Sequence, residues 1–145
     1  MRRSGKVSVT AIIIVAFVVG LAVMALSSGE SPSSAASRFM SYLAAGDYKS
    51  LTDMSLAEGV PHDELLDEWK YATQVAAPYY RFSYQIKGVR KSTDQMTIVW
   101  MEVTRNAGTN GSYPENYELE LHKTKDGWKV NVFAMSRKMY PGLPR

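Results

Sequence analysis

Residues 7–26 (VSVTAIIIVAFVVGLAVMAL) are a predominantly apolar run with no charge, no proline and a single glycine. As a helix rising about 1.5 Å per residue, the run is about 30 Å long, the thickness of a bilayer's hydrocarbon core. Arg2, Arg3 and Lys6 precede it and Glu30 is the first charge after it, so the cationic flank is expected to stay in the cytoplasm. The sequence thus predicts a cytoplasmic tail over 1–6, a transmembrane signal anchor over 7–27, a linker over 28–32 and an extracytoplasmic domain over 33–145. That is a single-pass protein of the cell membrane, with the lipid bilayer as one partner. A cleaved signal peptide is the competing reading, but its apolar region usually spans about 7–15 residues, shorter than this run.

There is no cysteine, which excludes disulfides, thiol nucleophiles, cysteine metal sites and a lipidated N-terminal cysteine. The formal charge of +3 comes mostly from the N-terminus: residues 31–145 hold fourteen Lys and Arg against thirteen Asp and Glu. A domain so nearly neutral has no electrostatic footprint for nucleic acid. Its length suffices for one hydrophobic core.

Ser31 and Pro32 are an N-cap and a first-turn proline, and Ala36, Phe39, Met40, Leu43 and Ala44 follow at helical spacing. Gly46 is placed to end that helix in a left-handed conformation, and Asp47 to cap a second one with Tyr48, Leu51 and Met54. A third opens at Pro61, with Asp63 and Glu64 in the first turn. Its buried side is expected to be Leu65, Leu66, Trp69, Ala72 and Val75 or Ala76, and Pro78 to stop it.

Beyond Pro78 the period is two. Tyr80, Phe82, Tyr84 and Ile86 alternate with polar residues, and Tyr117, Leu119 and Leu121 do the same. Between them, residues 95–105 are apolar on both alternating sets, separated from the next strand by a loop rich in Gly and Asn. Asp126-Gly127 signals a two-residue hairpin that would pair Leu121 with Val132 and Leu119 with Ala134, and set His122 opposite Asn131. The expected fold is α+β: the anchor, then about three helices packed on a curved antiparallel sheet of about four strands. Its core would contain Phe39, Leu43, Trp69, Phe82, Leu119, Leu121, Trp128, Val130 and Val132.

The opening SSAASRFMSYLAAGDYKSLTDM, the linking helix and the closing KTKDGWKVNVF make residues 33–136 resemble the nuclear-transport-factor-2-like (cystatin-like α+β cone) superfamily. The nearest resemblance is to its small membrane-attached or secreted bacterial members of unknown function. Those proteins end the first helix in a glycine-aspartate turn, here Gly46-Asp47, and close the sheet with Gly127-Trp128-Lys129-Val130. The resemblance implies that an enzyme of this type would hold an acidic base and a hydrogen-bonding acid inside the cone. Tyr42, Tyr48, Asp53, Tyr84, Trp100 and Glu102 are the candidates. Of these, Tyr42, Tyr84, Trp100 and Glu102 form the expected ligand pocket, and a buried Glu102 would have a raised pKa.

His62, Asp63, Glu64, Asp67 and Glu68 read as a solvated helix N-terminus rather than a metal cluster. His122 beside Glu120 lacks a third ligand. No metal, no cofactor and no catalytic residue is therefore expected. The basic, proline-broken tail over 137–145 is expected to fray or to touch acidic headgroups or a partner.

Val99, Met101 and Val103, with Phe133 and Met135, form a second apolar set, expected on the sheet face away from the helices. Apolar residues there need a cover. The reading is a non-catalytic, membrane-tethered interaction or assembly domain, partnered by a second copy or another membrane or envelope protein. The architecture is similar to that of assembly proteins in type IV secretion and conjugation machines. The alternatives are a small-molecule-binding cone and an isomerase- or hydrolase-type enzyme.

Overall fold

The computed structural model describes residues 29–106 and 110–145. The chain divides into two units, Met1–Glu30 and Ser31–Arg145, and the architecture below is that of the second. Among the described residues no helix is long and apolar enough to cross a membrane. The span expected over 7–27 lies outside them. Within them, the expected antiparallel sheet of about four strands is corrected to a five-stranded mixed sheet, packed under three α-helices.

Helix α1 (Pro32–Ala45) starts where Ser31 accepts a bond from the Ser34 amide at 3.2 Å, and ends at Gly46 with φ of +69°. Asp47 Oδ1 takes the Ser50 amide at 3.2 Å and opens α2 (Tyr48–Met54). Helix α3 (His62–Tyr71) carries Asp63 and Glu64 in its first turn, where the helix dipole favours them. It then widens into a π-helical turn over Ala72–Ala76. Ala72 is buried as the helical spacing requires, one turn beyond Trp69; of the alternatives Val75 and Ala76, in the wider turn, Val75 is 63% exposed and Ala76 half-buried.

The strands are β1 (Ser55–Leu56), β2 (Phe82–Lys91), β3 (Met96–Arg105), β4 (Tyr113–Thr124) and β5 (Gly127–Asn131), in the order β1-β5-β4-β3-β2. The fifth strand that sequence reading missed is β1, two residues long and parallel to β5. The other pairs are antiparallel.

The closing hairpin exists, but in another register. Leu121 pairs with Val130 and His122 with Lys129, and Thr124 meets Gly127 across a turn at Lys125 and Asp126. Val132 and Ala134, expected in the strand, form a 3-10 turn. A partner shift of two residues leaves every side chain on its original face, so the hydrophobic pattern could not distinguish the two registers.

The helices cover one face of the sheet. Phe39, Met40, Leu43, Leu51, Leu65 and Trp69 pack there with Val99, Met101, Val103, Leu119, Leu121 and Val130. Trp69 joins the layers: its ring meets Phe39 edge-on at 5.9 Å, and Nε1 donates to Ser55 Oγ at 2.8 Å. Of the expected core, Phe82 and Trp128 are only half-buried.

The tail does not fray. Met139, Tyr140 and Leu143 are buried in the same core, Arg137 Nη1 donates to the Leu143 carbonyl at 2.7 Å, and Tyr140 lies edge-on to Tyr80 at 5.2 Å. Gly142, at φ of +71°, rides so close to the π turn that a Cβ there would lie 2.6 Å from Ala76 Cβ. Small residues at 72 and 76 and glycine at 142 are what allow the approach.

Candidate functional site

The two faces of β3 are assigned by its neighbours. Val99 stands opposite Leu119, Met101 opposite Tyr117 and Ile86, and Val103 opposite Glu115 and Tyr84. Val99, Met101, Val103 and Met135, expected as an outward partner interface, are therefore buried under the helices; Phe133 alone of that set is exposed. The error has a physical source. Both alternating sets of β3 are apolar, and the long β3–β4 connection does not fix which set joins the leucines.

The expected ligand pocket does not assemble. Trp100 and Glu102 lie on the outer face, opposite Glu118 and Asn116 of β4. Tyr84 faces the helices and acts as a strut, its hydroxyl donating to the Ser37 carbonyl at 2.9 Å and lying 2.7 Å from Ser41 Oγ. Tyr42 carries the Arg38 guanidinium 6.0 Å from its ring centre. Tyr48 likewise has Lys70 over its ring at 5.9 Å. Asp53 is exposed and meets His62 Nε2 at 3.3 Å. Among the described residues no group of three His, Cys, Asp or Glu side chains is placed to hold a metal ion.

On the outer face, Glu120 accepts from His122 at 2.6 Å and from Asn131 Nδ2 at 3.0 Å. The His122 bond first, then that of Asn131, holds its carboxyl below the usual carboxylate range.

A polar cluster that sequence reading did not assemble sits at the end of the sheet beside the tail. Arg105 ends β3, and Glu115 and Tyr117 begin β4 on the same, helix-covered face. Arg105 Nη2 donates to the Tyr117 hydroxyl at 2.9 Å, and Nε lies 3.3 Å from Glu115 Oε1. Tyr117 in turn donates to Glu115 Oε2. The guanidinium is 5.7 Å from the Tyr80 ring centre, and Tyr80 donates to the Met139 carbonyl at 3.3 Å. The signal for this cluster was parity. Once Val99, Met101 and Val103 face inward, Arg105 must follow them. The Tyr117 hydroxyl and the Glu115 carboxylate are engaged with each other and with Arg105, a neutralised ion pair rather than a poised acid and base.

Burial pushes the Tyr80, Tyr117 and Tyr140 phenols above the ordinary tyrosine value. For Tyr117 the bond to Glu115 adds to burial, and for both Tyr80 and Tyr117 the Arg105 charge opposes it. A folded pKa raised above the unfolded one gives stability that is complete below the unfolded value, about 10, and is lost as pH rises through the folded one. The domain is therefore expected to weaken only in alkaline solution through these groups. Following tyrosinate absorbance against pH should show a late-ionising fraction that coincides with loss of near-ultraviolet circular dichroism. Simultaneous, early ionisation of all nine tyrosines would contradict the burial of these three.

No family model and no curated protein sequence matches the chain. Solved structures do. A Thiobacillus denitrificans protein described as a calcium/calmodulin-dependent protein kinase type II association domain aligns with TM-score 0.53 and 11% identity, over 70% of this chain and 90% of its own. A ketosteroid isomerase-like protein from Erwinia carotovora atroseptica aligns at TM-score 0.48 and 19% identity, over 66% of this chain and 85% of its own. A Streptomyces avermitilis protein described as a dehydratase of the nuclear-transport-factor-2-like family aligns at TM-score 0.48 and 16% identity, with the same two coverages. The domain shares its overall fold with the Thiobacillus structure. At these identities the likeness is one of fold alone, and it does not bear on membrane attachment.

Proposed function

We propose that the domain is a non-catalytic association module that pairs with a second copy of itself through the outer face of its sheet. The observation that carries this reading is Trp100. It is 40% exposed in the middle of the sheet and seated on Gly88, where a Cβ would lie 2.3 Å from the indole. A tryptophan held rigidly in the open is what interface hot spots are made of. It borders an open groove of about 700 Å³, lined also by Arg90, Asn116, Glu118, Ala134 and Ser136.

Around it the face carries both signs of charge: Arg90 and Glu118 at 3.8 Å, then Glu120, His122 and Lys129. A two-fold interface requires a self-complementary patch, and a mixed-charge rim around an apolar centre meets that requirement. The ligand-binding reading is less well supported, because Phe39, Trp69, Met101, Met139 and Tyr140 occupy the space between sheet and helices. The description of the Thiobacillus neighbour as an association domain accords with the proposal.

The test is sedimentation of the full chain and of Trp100→Glu at matched concentrations. The wild type should form a dimer, and the variant should dissociate at least about 30-fold more readily, the equivalent of a hot-spot loss of 2 kcal/mol, with unchanged circular dichroism. Identical behaviour of the two proteins sinks the reading.

A further inference from the structure

We propose that the cleft between the Arg105 end of the sheet and the tail binds a phosphate-class oxyanion. The cleft, of about 370 Å³, is lined by Arg105, Glu115, Arg137, Lys138 and Pro141. Three cations against one carboxylate leave it formally doubly positive, in a domain whose overall charge is close to neutral. Such a concentration of like charge costs self-repulsion, which an anion in the cleft relieves.

Two of the cations are fixed before any ligand arrives. Arg105 is only 17% exposed at its side chain and is held by Glu115, Tyr117 and the Tyr80 ring. Its buried Nε, although near Glu115, has no acceptor in hydrogen-bonding geometry among the described residues. A guanidinium presents five donors in a rigid fork, and with Nε buried against Glu115 and Nη2 bonded to Tyr117, the remaining terminal N–H groups are what Arg105 offers a ligand. Arg137 is positioned by its bond to the Leu143 carbonyl, which uses one donor of its own fork. Lys138 adds a charge on a longer, exposed stem. Guanidinium groups from two elements that line one opening suit a tetrahedral oxyanion. The phosphate could be free in solution or part of a lipid headgroup.

The test uses the full chain, isotope-labelled, with inorganic phosphate added at constant ionic strength. Arginine Nε–Hε and neighbouring amide resonances should shift saturably in the wild type, and the apparent affinity should fall at least tenfold in the double variant Arg137→Ala, Lys138→Ala. Both substitutions are on exposed side chains, and unchanged resonances elsewhere confirm the fold. A second arm compares co-sedimentation with phosphatidylcholine vesicles, with and without phosphatidylglycerol. A preference for the anionic vesicles that the double variant loses identifies a headgroup as the source; saturable phosphate shifts without that preference identify a free anion. Absence of both, or binding equal in wild type and double variant, overturns the proposal.

Discussion

Trp69→Ala is expected to cost about 3–5 kcal/mol, a large part of the 5–15 kcal/mol that holds a typical domain together. The indole is fully buried and does three things at once. It fills the space between α3 and α1, it meets Phe39 edge-on, and its Nε1 bonds Ser55, whose hydroxyl donates to the Leu51 carbonyl at 2.6 Å. Truncation opens a cavity and also loosens the junction where α2 becomes β1. Trp69→Phe keeps most of the ring and loses the hydrogen bond, so about 1 kcal/mol should suffice for it. Urea titration measures both, provided the slope of the transition is unchanged. A loss below 1 kcal/mol for the alanine variant would mean that α3 does not pack as described.

Met101→Glu and Trp100→Glu are adjacent substitutions with opposite expected outcomes. Met101 is completely buried among Phe39, Trp69 and the inner leucines, and a carboxylate there has no partner. Burying an unpaired charge costs several kcal/mol, enough to unfold a domain of this size. Near-ultraviolet circular dichroism and a cooperative melt should both be lost. Trp100→Glu replaces an exposed side chain and should leave the melt within a few degrees of wild type. If Met101→Glu folds and Trp100→Glu does not, the sheet faces have been assigned backwards.

Helix boundaries were legible because their signals are local. Ser31, Gly46 and Asp47 act within a few residues, and each behaves in the structure as its chemistry requires. The sheet was legible only where one alternating set was polar. Leu119 and Leu121, set among Glu118, Glu120 and His122, declared their face; Val99 and Met101, with Ile98 before and Trp100 between them, did not. Two-residue β1 has too little sequence to carry a pattern at all. The tail misled for a different reason: arginine, lysine and two prolines read as solvent-exposed, yet Met139, Tyr140 and Leu143 between them find the core. Of the site, Trp100 was singled out but on the wrong side of the sheet. The Arg105–Glu115–Tyr117 cluster depends on strand pairing across a loop whose length leaves register open.

The edges of the sheet decide what kind of assembly this domain can form. An unpaired edge strand is a template for another chain, and long bare edges lead to aggregation. At one edge, β1 already occupies the Val130 and Asn131 positions of β5, leaving only a short stretch of that strand open. At the other, β2 is interrupted by a bulge between Ile86 and Gly88 and bears Lys87, Arg90 and Lys91, all unfavourable to an incoming strand. Open-ended, strand-by-strand growth is thereby discouraged at both ends, and contact is directed to the broad face, where a two-fold pair closes on itself and stops.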